Sequence, residues 1–205
     1  MNSSTWFRRG FGLKAEIAAP LEADYSSAVV EELRANDNRL ELGHLTFRLA
    51  QEFGFCYGVD RAVEYAYESR TKFPDRRLFL VGEIIHNPHV NDKLRSMGIT
   101  FLGRGEDGEF DFGGIGADDV VIIPAFGVTR ADFLRLGELG CIVVDTTCGS
   151  VLNVWKRVEG YARDGFTAVI HGKHYHEETK ATASQVEKHP EGRHLVVFDM
   201  AETRE

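Results

Sequence analysis

The feature that most constrains this chain is an internal repeat. Cys56 is followed by apolar residues at Val59, Ala62, Val63 and Ala66, and Cys148 by Val151, Val154, Trp155 and Val158, every member of the second set lying 92 positions after its counterpart. The i, i+3, i+4, i+7 spacing is one face of an amphipathic helix, so each cysteine is expected to open a helix. Further along, Gly82 and His86 recur as Gly172 and His176 at an offset of 90. Short β-type runs at 46–49, 78–81, 120–123, 142–144, 167–170 and 195–198 alternate with helical patterns. Such alternation predicts an α/β fold with mostly parallel sheets. The repeat divides the chain into a peripheral lead-in at 1–44, containing a helix over 26–35, and two similar α/β lobes at 45–127 and 128–205 around a shared site.

Composition narrows the function classes. A net charge of −8 argues against a nucleic-acid binder, which carries a basic face, but leaves room for a small anion in a local positive pocket. No apolar run approaches the roughly 20 residues that span a bilayer. Arg8-Arg9 faintly resembles a twin-arginine signal, yet Glu16, Glu22 and Asp24 follow without an apolar core, so neither export nor a transit peptide is expected. Three cysteines in a chain without a secretion signal point to a reducing compartment.

Open α/β sheets bind ligands at the carboxyl ends of their strands, and there the repeat places Cys56, Cys148, His86 and His176. A thiol at a helix start favours the thiolate needed for metal ligation or nucleophilic attack. Glycines beside both cysteines, Gly54, Gly58 and Gly149, permit close backbone approach to sulfur or phosphate. Cys141 begins a strand, lacks a counterpart in the first lobe and reads as a buried packing residue. His86 precedes Pro88, a first-turn residue, where an anion-binding role is reasonable. His171, His174 and His176 crowd together before Glu177 and Glu178; this pattern suits a metal cluster and a phosphate-binding, proton-handling site equally.

Four ordered motifs resemble the LytB-type 4-hydroxy-3-methylbut-2-enyl diphosphate reductases: Gly54-Phe55-Cys56-Tyr57-Gly58-Val59-Asp60-Arg61-Ala62, Gly82-Glu83-Ile84-Ile85-His86-Asn87-Pro88, Asp145-Thr146-Thr147-Cys148 and His176-Glu177-Glu178-Thr179. The stretches 123–127 and 170–173 look like the plant and cyanobacterial branch, which also has an N-terminal lead-in. The resemblance implies three α/β lobes around a [4Fe-4S] cluster, each lobe giving one cysteine, with one iron open to the substrate hydroxyl. Cys56 and Cys148 would be two of those ligands, His86 and His176 would bind the diphosphate, and Glu178 would deliver protons. The implied reaction is the last step of the non-mevalonate isoprenoid pathway, a reductive dehydration to isopentenyl and dimethylallyl diphosphates. Ferredoxin or flavodoxin would donate the electrons, in the cytoplasm or a plastid stroma.

Two departures accompany the resemblance. Gly149 and Ser150 follow Cys148 where the family has proline and a bulky residue, and the third lobe, with its cysteine and Ser-x-Asn motif, is not found within 205 residues. The expectation is therefore a truncated or split reductase, weak or inactive alone, whose third lobe and ligand are lost or sit on another chain. A catalytically inactive remnant kept as a binding scaffold, and a zinc enzyme using His171, His174 and His176, are the alternatives.

Overall fold

The computed structural model describes residues 5–106 and 108–204. Its strands are β1 (Trp6–Phe7), β2 (Arg39–Leu42), β3 (Leu45–Arg48), β4 (Leu78–Val81), β5 (Ile99–Leu102), β6 (Val120–Ile123), β7 (Ile142–Asp145), β8 (Thr167–His171) and β9 (Arg193–Val197). Its α-helices are α1 (Lys14–Tyr25), α2 (Ala28–Ala35), α3 (Tyr57–Lys72), α4 (Pro88–Ser96), α5 (Arg130–Leu139), α6 (Gly149–Arg163) and α7 (Glu177–Ala183).

Five strands form one parallel sheet in the order β1-β7-β6-β4-β5. β6 shows why the sheet holds. Its sequence Val-Val-Ile-Ile sends Val120 and Ile122 into one apolar cluster and Val121 and Ile123 into another, all at most 1% exposed. A continuous apolar run buried on both faces is the mark of a central parallel strand. Each such side chain contributes about 1.5–3 kcal/mol by leaving water. The first cluster packs α3 against the sheet through Ala62, Val63 and Ala66; the second includes Leu136 of α5. α5 is delimited locally: the Thr129 hydroxyl accepts the Asp132 N–H, and Gly140 closes the helix at φ +68.

The α/β class and the parallel sheet follow the sequence expectation, and β4 and β6 have the expected bounds. Other features differ. The strand near residue 46 is not in the parallel sheet; β3 pairs antiparallel with β2 in an exposed hairpin closed by Gly43 at φ +61 and His44. The polar stretch at 36–39 turns through Asp37 and Asn38, both left-handed, a conformation that short polar side chains tolerate. The segment 1–44 is not simply peripheral. β1 extends the sheet along β7, and Ile17 of α1 is 1% exposed in the core. The buried Glu68 carboxylate secures this segment by accepting the Phe11 and Leu13 N–H groups at 2.6 and 2.9 Å.

The five-stranded sheet thus draws strands from all three expected segments, and β7 is hydrogen-bonded to β6 across residues 127 and 128. β8 and β9 form a separate two-stranded parallel sheet, contacted by α6 and α7. Both helices that follow the repeated cysteines are present, with Cys56 as N-cap of α3 and Cys148 as N-cap of α6.

Candidate functional site

The site gathers on the turn that leaves β6, Pro124-Ala125-Phe126-Gly127. Strand register decides this: Ile123 lies opposite Asp145, so the loops leaving β6 and β7 emerge side by side. The Cys148 N–H donates to the Ala125 carbonyl at 2.9 Å, and the Ala125 N–H donates to the Ile84 carbonyl at 3.2 Å. The turn therefore joins the Cys148 segment to the loop carrying His86. Gly127 adopts φ +77, and a Cβ there would lie 2.3 Å from the Trp155 ring of α6, so both space and backbone exclude a side chain.

Cys148 follows a braced segment. Asp145 is buried, and its carboxylate accepts the Thr147 N–H at 3.0 Å and the Thr147 hydroxyl, while Arg8 pairs with it at 3.1 Å. The Thr146 hydroxyl donates to the Ile123 carbonyl at 2.7 Å. From α3, the Arg61 guanidinium reaches across to the Thr147 carbonyl. The two thiol-bearing elements meet at Gly58, where a Cβ would stand 2.4 Å from Cys148 Sγ. The Cys148 thiol thus rests against the first turn of the helix that Cys56 opens. Cys56 is exposed, Cys148 half-buried and Cys141 buried. Burial pushes the Cys141 thiol up to about 11, consistent with its reading as a packing residue.

The histidines of the repeat also meet. His86 Nε2 and His176 Nε2 are 2.9 Å apart, and His86 Nδ1 is 3.0 Å from Glu83 Oε2. Phe126 stacks on His86 at 4.5 Å between ring centroids and presents to His176 edge-on at 5.5 Å. His176 is the N-cap of α7, its Nδ1 accepting the Glu178 N–H at 3.2 Å, which fixes Glu178 in the first turn. Asn87 caps α4 by accepting the Val90 N–H, with Pro88 at the helix start as the sequence predicts.

His171, His174 and His176 diverge. His171 Nε2 bonds the Phe198 carbonyl, His174 Nε2 faces Glu202, and only His176 meets His86. Among the described residues no three His, Cys, Asp or Glu side chains are placed to hold one ion, so the zinc cluster expected as an alternative has no geometric basis.

A cavity of about 290 Å³ adjoins His86, bordered also by Glu83, Phe110, Phe126, Arg104 and Glu177. Arg104, leaving β5, forms a two-pronged pair with Glu177 of α7 and lies over Phe110 at 4.0 Å. Burial works against the Arg104 charge, but the Glu177 partner outweighs it and holds the guanidinium above its ordinary range. Glu83, Phe126, Arg61, Asp145 and Arg104 were not singled out from sequence. Glu83 had a readable signal, a carboxylate three residues before His86, and Asp145 has a local partner in Thr147; Phe126, Arg61 and Arg104 have partners remote in the chain.

Comparison with known proteins gives a consistent answer. The family model described as LytB protein matches residues 47–205. The chain is 49% identical over 208 residues to a 4-hydroxy-3-methylbut-2-enyl diphosphate reductase of Gloeobacter violaceus, covering 100% of this chain and 49% of the relative. It is 48% identical over 203 residues to the protein of the same name from a Synechococcus strain, covering 99% of this chain and 49% of that one. The chain spans about half the length of these curated relatives. A solved structure of (E)-4-hydroxy-3-methyl-but-2-enyl diphosphate reductase, described as the terminal enzyme of the non-mevalonate pathway, superposes with TM-score 0.62 and 31% identity, over 75% of this chain and 51% of the other. The corresponding reductase from Plasmodium falciparum, at 23% identity and TM-score 0.64, shares the fold over 76% of this chain.

Proposed function

The chain belongs to the LytB family, and from that premise we propose that it forms part of a reductase acting on 4-hydroxy-3-methylbut-2-enyl diphosphate. The observation that carries the reading is that the Cys148 segment and two facing imidazoles meet on the single turn 124–127, while the Cys148 thiol rests on the first turn of the helix that Cys56 caps. Two thiolates are a donor set suited to iron and sulfide. The space at Gly58, which a Cβ would fill against Cys148 Sγ, lets the second thiol come close to the start of α3. Cys56 and Cys148 would hold an iron–sulfur cluster, which when bound supplies electrons and a Lewis-acidic iron. The part of the longer relatives that this chain does not span would supply the third ligand.

The chain's own groups have separate tasks in this proposal. His86 and His176 hold the diphosphate through their Nε2 atoms, and Phe126 fixes the His86 ring plane. Glu178, in the first turn of the helix that His176 caps, would be the proton donor. Ferredoxin or flavodoxin would deliver electrons, in the cytoplasm or plastid stroma; no helix among the described residues is long and apolar enough to cross a membrane.

The test is anaerobic reconstitution of the chain with iron and sulfide, followed by visible absorption and analysis of both elements. Wild type is expected to bind both, and Cys56→Ser or Cys148→Ser to lose most of that uptake while keeping the fold by circular dichroism. Uptake unchanged in both variants, or stoichiometric zinc with no iron in the isolated protein, would overturn the reading. Reduction of the allylic diphosphate is then assayed with reduced ferredoxin, expected to be slow in this chain alone and to rise when the remainder of a relative is added.

A further inference from the structure

The two site imidazoles share one proton in a direction that their surroundings dictate. A backbone N–H only donates, so His176 Nδ1, which meets the Glu178 nitrogen at 3.2 Å, carries a lone pair. The His176 proton is therefore on Nε2, which donates across 2.9 Å to His86 Nε2. His86 Nε2 is then a lone pair as well, and the His86 proton is on Nδ1, donating to Glu83 Oε2 at 3.0 Å. A doubly protonated His86 would set two N–H groups head to head.

We propose that Glu83 is the positioning residue of this pair. It keeps the His86 proton on Nδ1 in the free protein and balances the imidazolium that forms when a diphosphate parts the two rings. The inference rests on the reading that His86 and His176 bind the diphosphate. A phosphate oxygen at this corner accepts hydrogen bonds, so both Nε2 atoms must donate to it. His176 already can; His86 must gain a proton from solvent. The charges around the ring single out Glu83 as its partner. Glu177 of α7 is taken up by Arg104, Glu178 meets the pair through its backbone N–H on His176 Nδ1, and the 124–127 turn offers Phe126.

The experiment is ¹⁵N NMR of the imidazoles in the full chain, free and titrated with inorganic pyrophosphate at about pH 8. In the free protein His86 is expected to be protonated on Nδ1 only and His176 on Nε2 only. In the complex, both His86 nitrogens become protonated. Glu83→Gln keeps a hydrogen-bond acceptor but removes the charge. It should preserve the free pattern, reduce the doubly protonated population of His86 and weaken pyrophosphate about three-fold, the size expected of one exposed charge pair. The opposite tautomers in the free protein, a singly protonated His86 in the complex, or Glu83→Gln indistinguishable from wild type would each overturn the role of Glu83. Pyrophosphate that perturbs neither imidazole would instead remove the anion reading on which it rests.

Discussion

Replacing Gly58 with alanine sets two effects of known size against each other. Gly58 lies in α3 with nothing unusual in its backbone, so alanine should stabilise the helix by about 1 kcal/mol. The new Cβ, however, would lie 2.4 Å from Cys148 Sγ and 3.1 Å from Cys148 Cβ. Relieving that overlap moves the thiol by about 1 Å or turns it to another rotamer, and overpacking of this kind costs about 1–3 kcal/mol. The net result is a destabilisation of about 0–2 kcal/mol together with a displaced sulfur. Gly160 of α6 supplies the control, because a Cβ there meets only the Arg163 guanidinium at 4.0 Å. Gly160→Ala should simply gain up to about 1 kcal/mol. Urea unfolding measures the stabilities, and the rate at which Cys148 reacts with an aromatic disulfide reports the thiol. If Gly58→Ala gains as much as Gly160→Ala and leaves Cys148 reactivity and iron uptake unchanged, then the thiol does not rest on α3 and the convergence argument fails.

Glu68→Ala removes the buried acceptor of the Phe11 and Leu13 N–H groups, and should cost about 2–3 kcal/mol in urea unfolding while opening residues 5–13 to proteolysis. In the native protein at pH 8, Cys56 and Cys148 should react with an aromatic disulfide, whereas Cys141, buried and pushed up to about 11, should react only on unfolding; mass mapping of the labels checks this. Asp119 is pushed up by burial, but the Arg77 hydrogen bonds, the Gly116 N–H and the Arg77 charge hold its carboxyl below the ordinary range. Its contribution is therefore fully present above the unfolded carboxylate value near 3.9 and lost as pH falls through the lower folded value. Unfolding titrations between about pH 2 and 6 should show a weaker acid dependence for Asp119→Asn than for wild type.

The repeat was legible because it rests on local chemistry. A cysteine before an i, i+3, i+4, i+7 stripe is a helix start wherever the chain goes, and α3 and α6 begin there. The apolar runs of β4 and β6 could be read for the same reason: residues buried on both faces leave no ambiguity of pattern. β3 was placed in the wrong kind of sheet, since four residues of strand propensity do not reveal their partner; a two-residue turn through Gly43 gave it to β2. α1 contains Pro20 and buries only Ile17; its place comes from packing on α3 and the Glu68 anchor.

For the site, the sequence by itself determined the residue types and their order: two thiols, two imidazoles and a carboxylate, each after a strand or at a helix start. Only the tertiary structure decided which of them meet. Parallel registration of β6 with β7 brings the loop at 124–127 against Cys148, and the Phe126 ring in that loop faces both His86 and His176, which are 90 residues apart. It equally separated His171, His174 and His176, whose proximity in sequence suggested one cluster. The physical reason is the same in both cases. Sequence spacing fixes the direction of a side chain only within an element, whereas convergence depends on strand pairing and loop closure, which join residues distant along the chain.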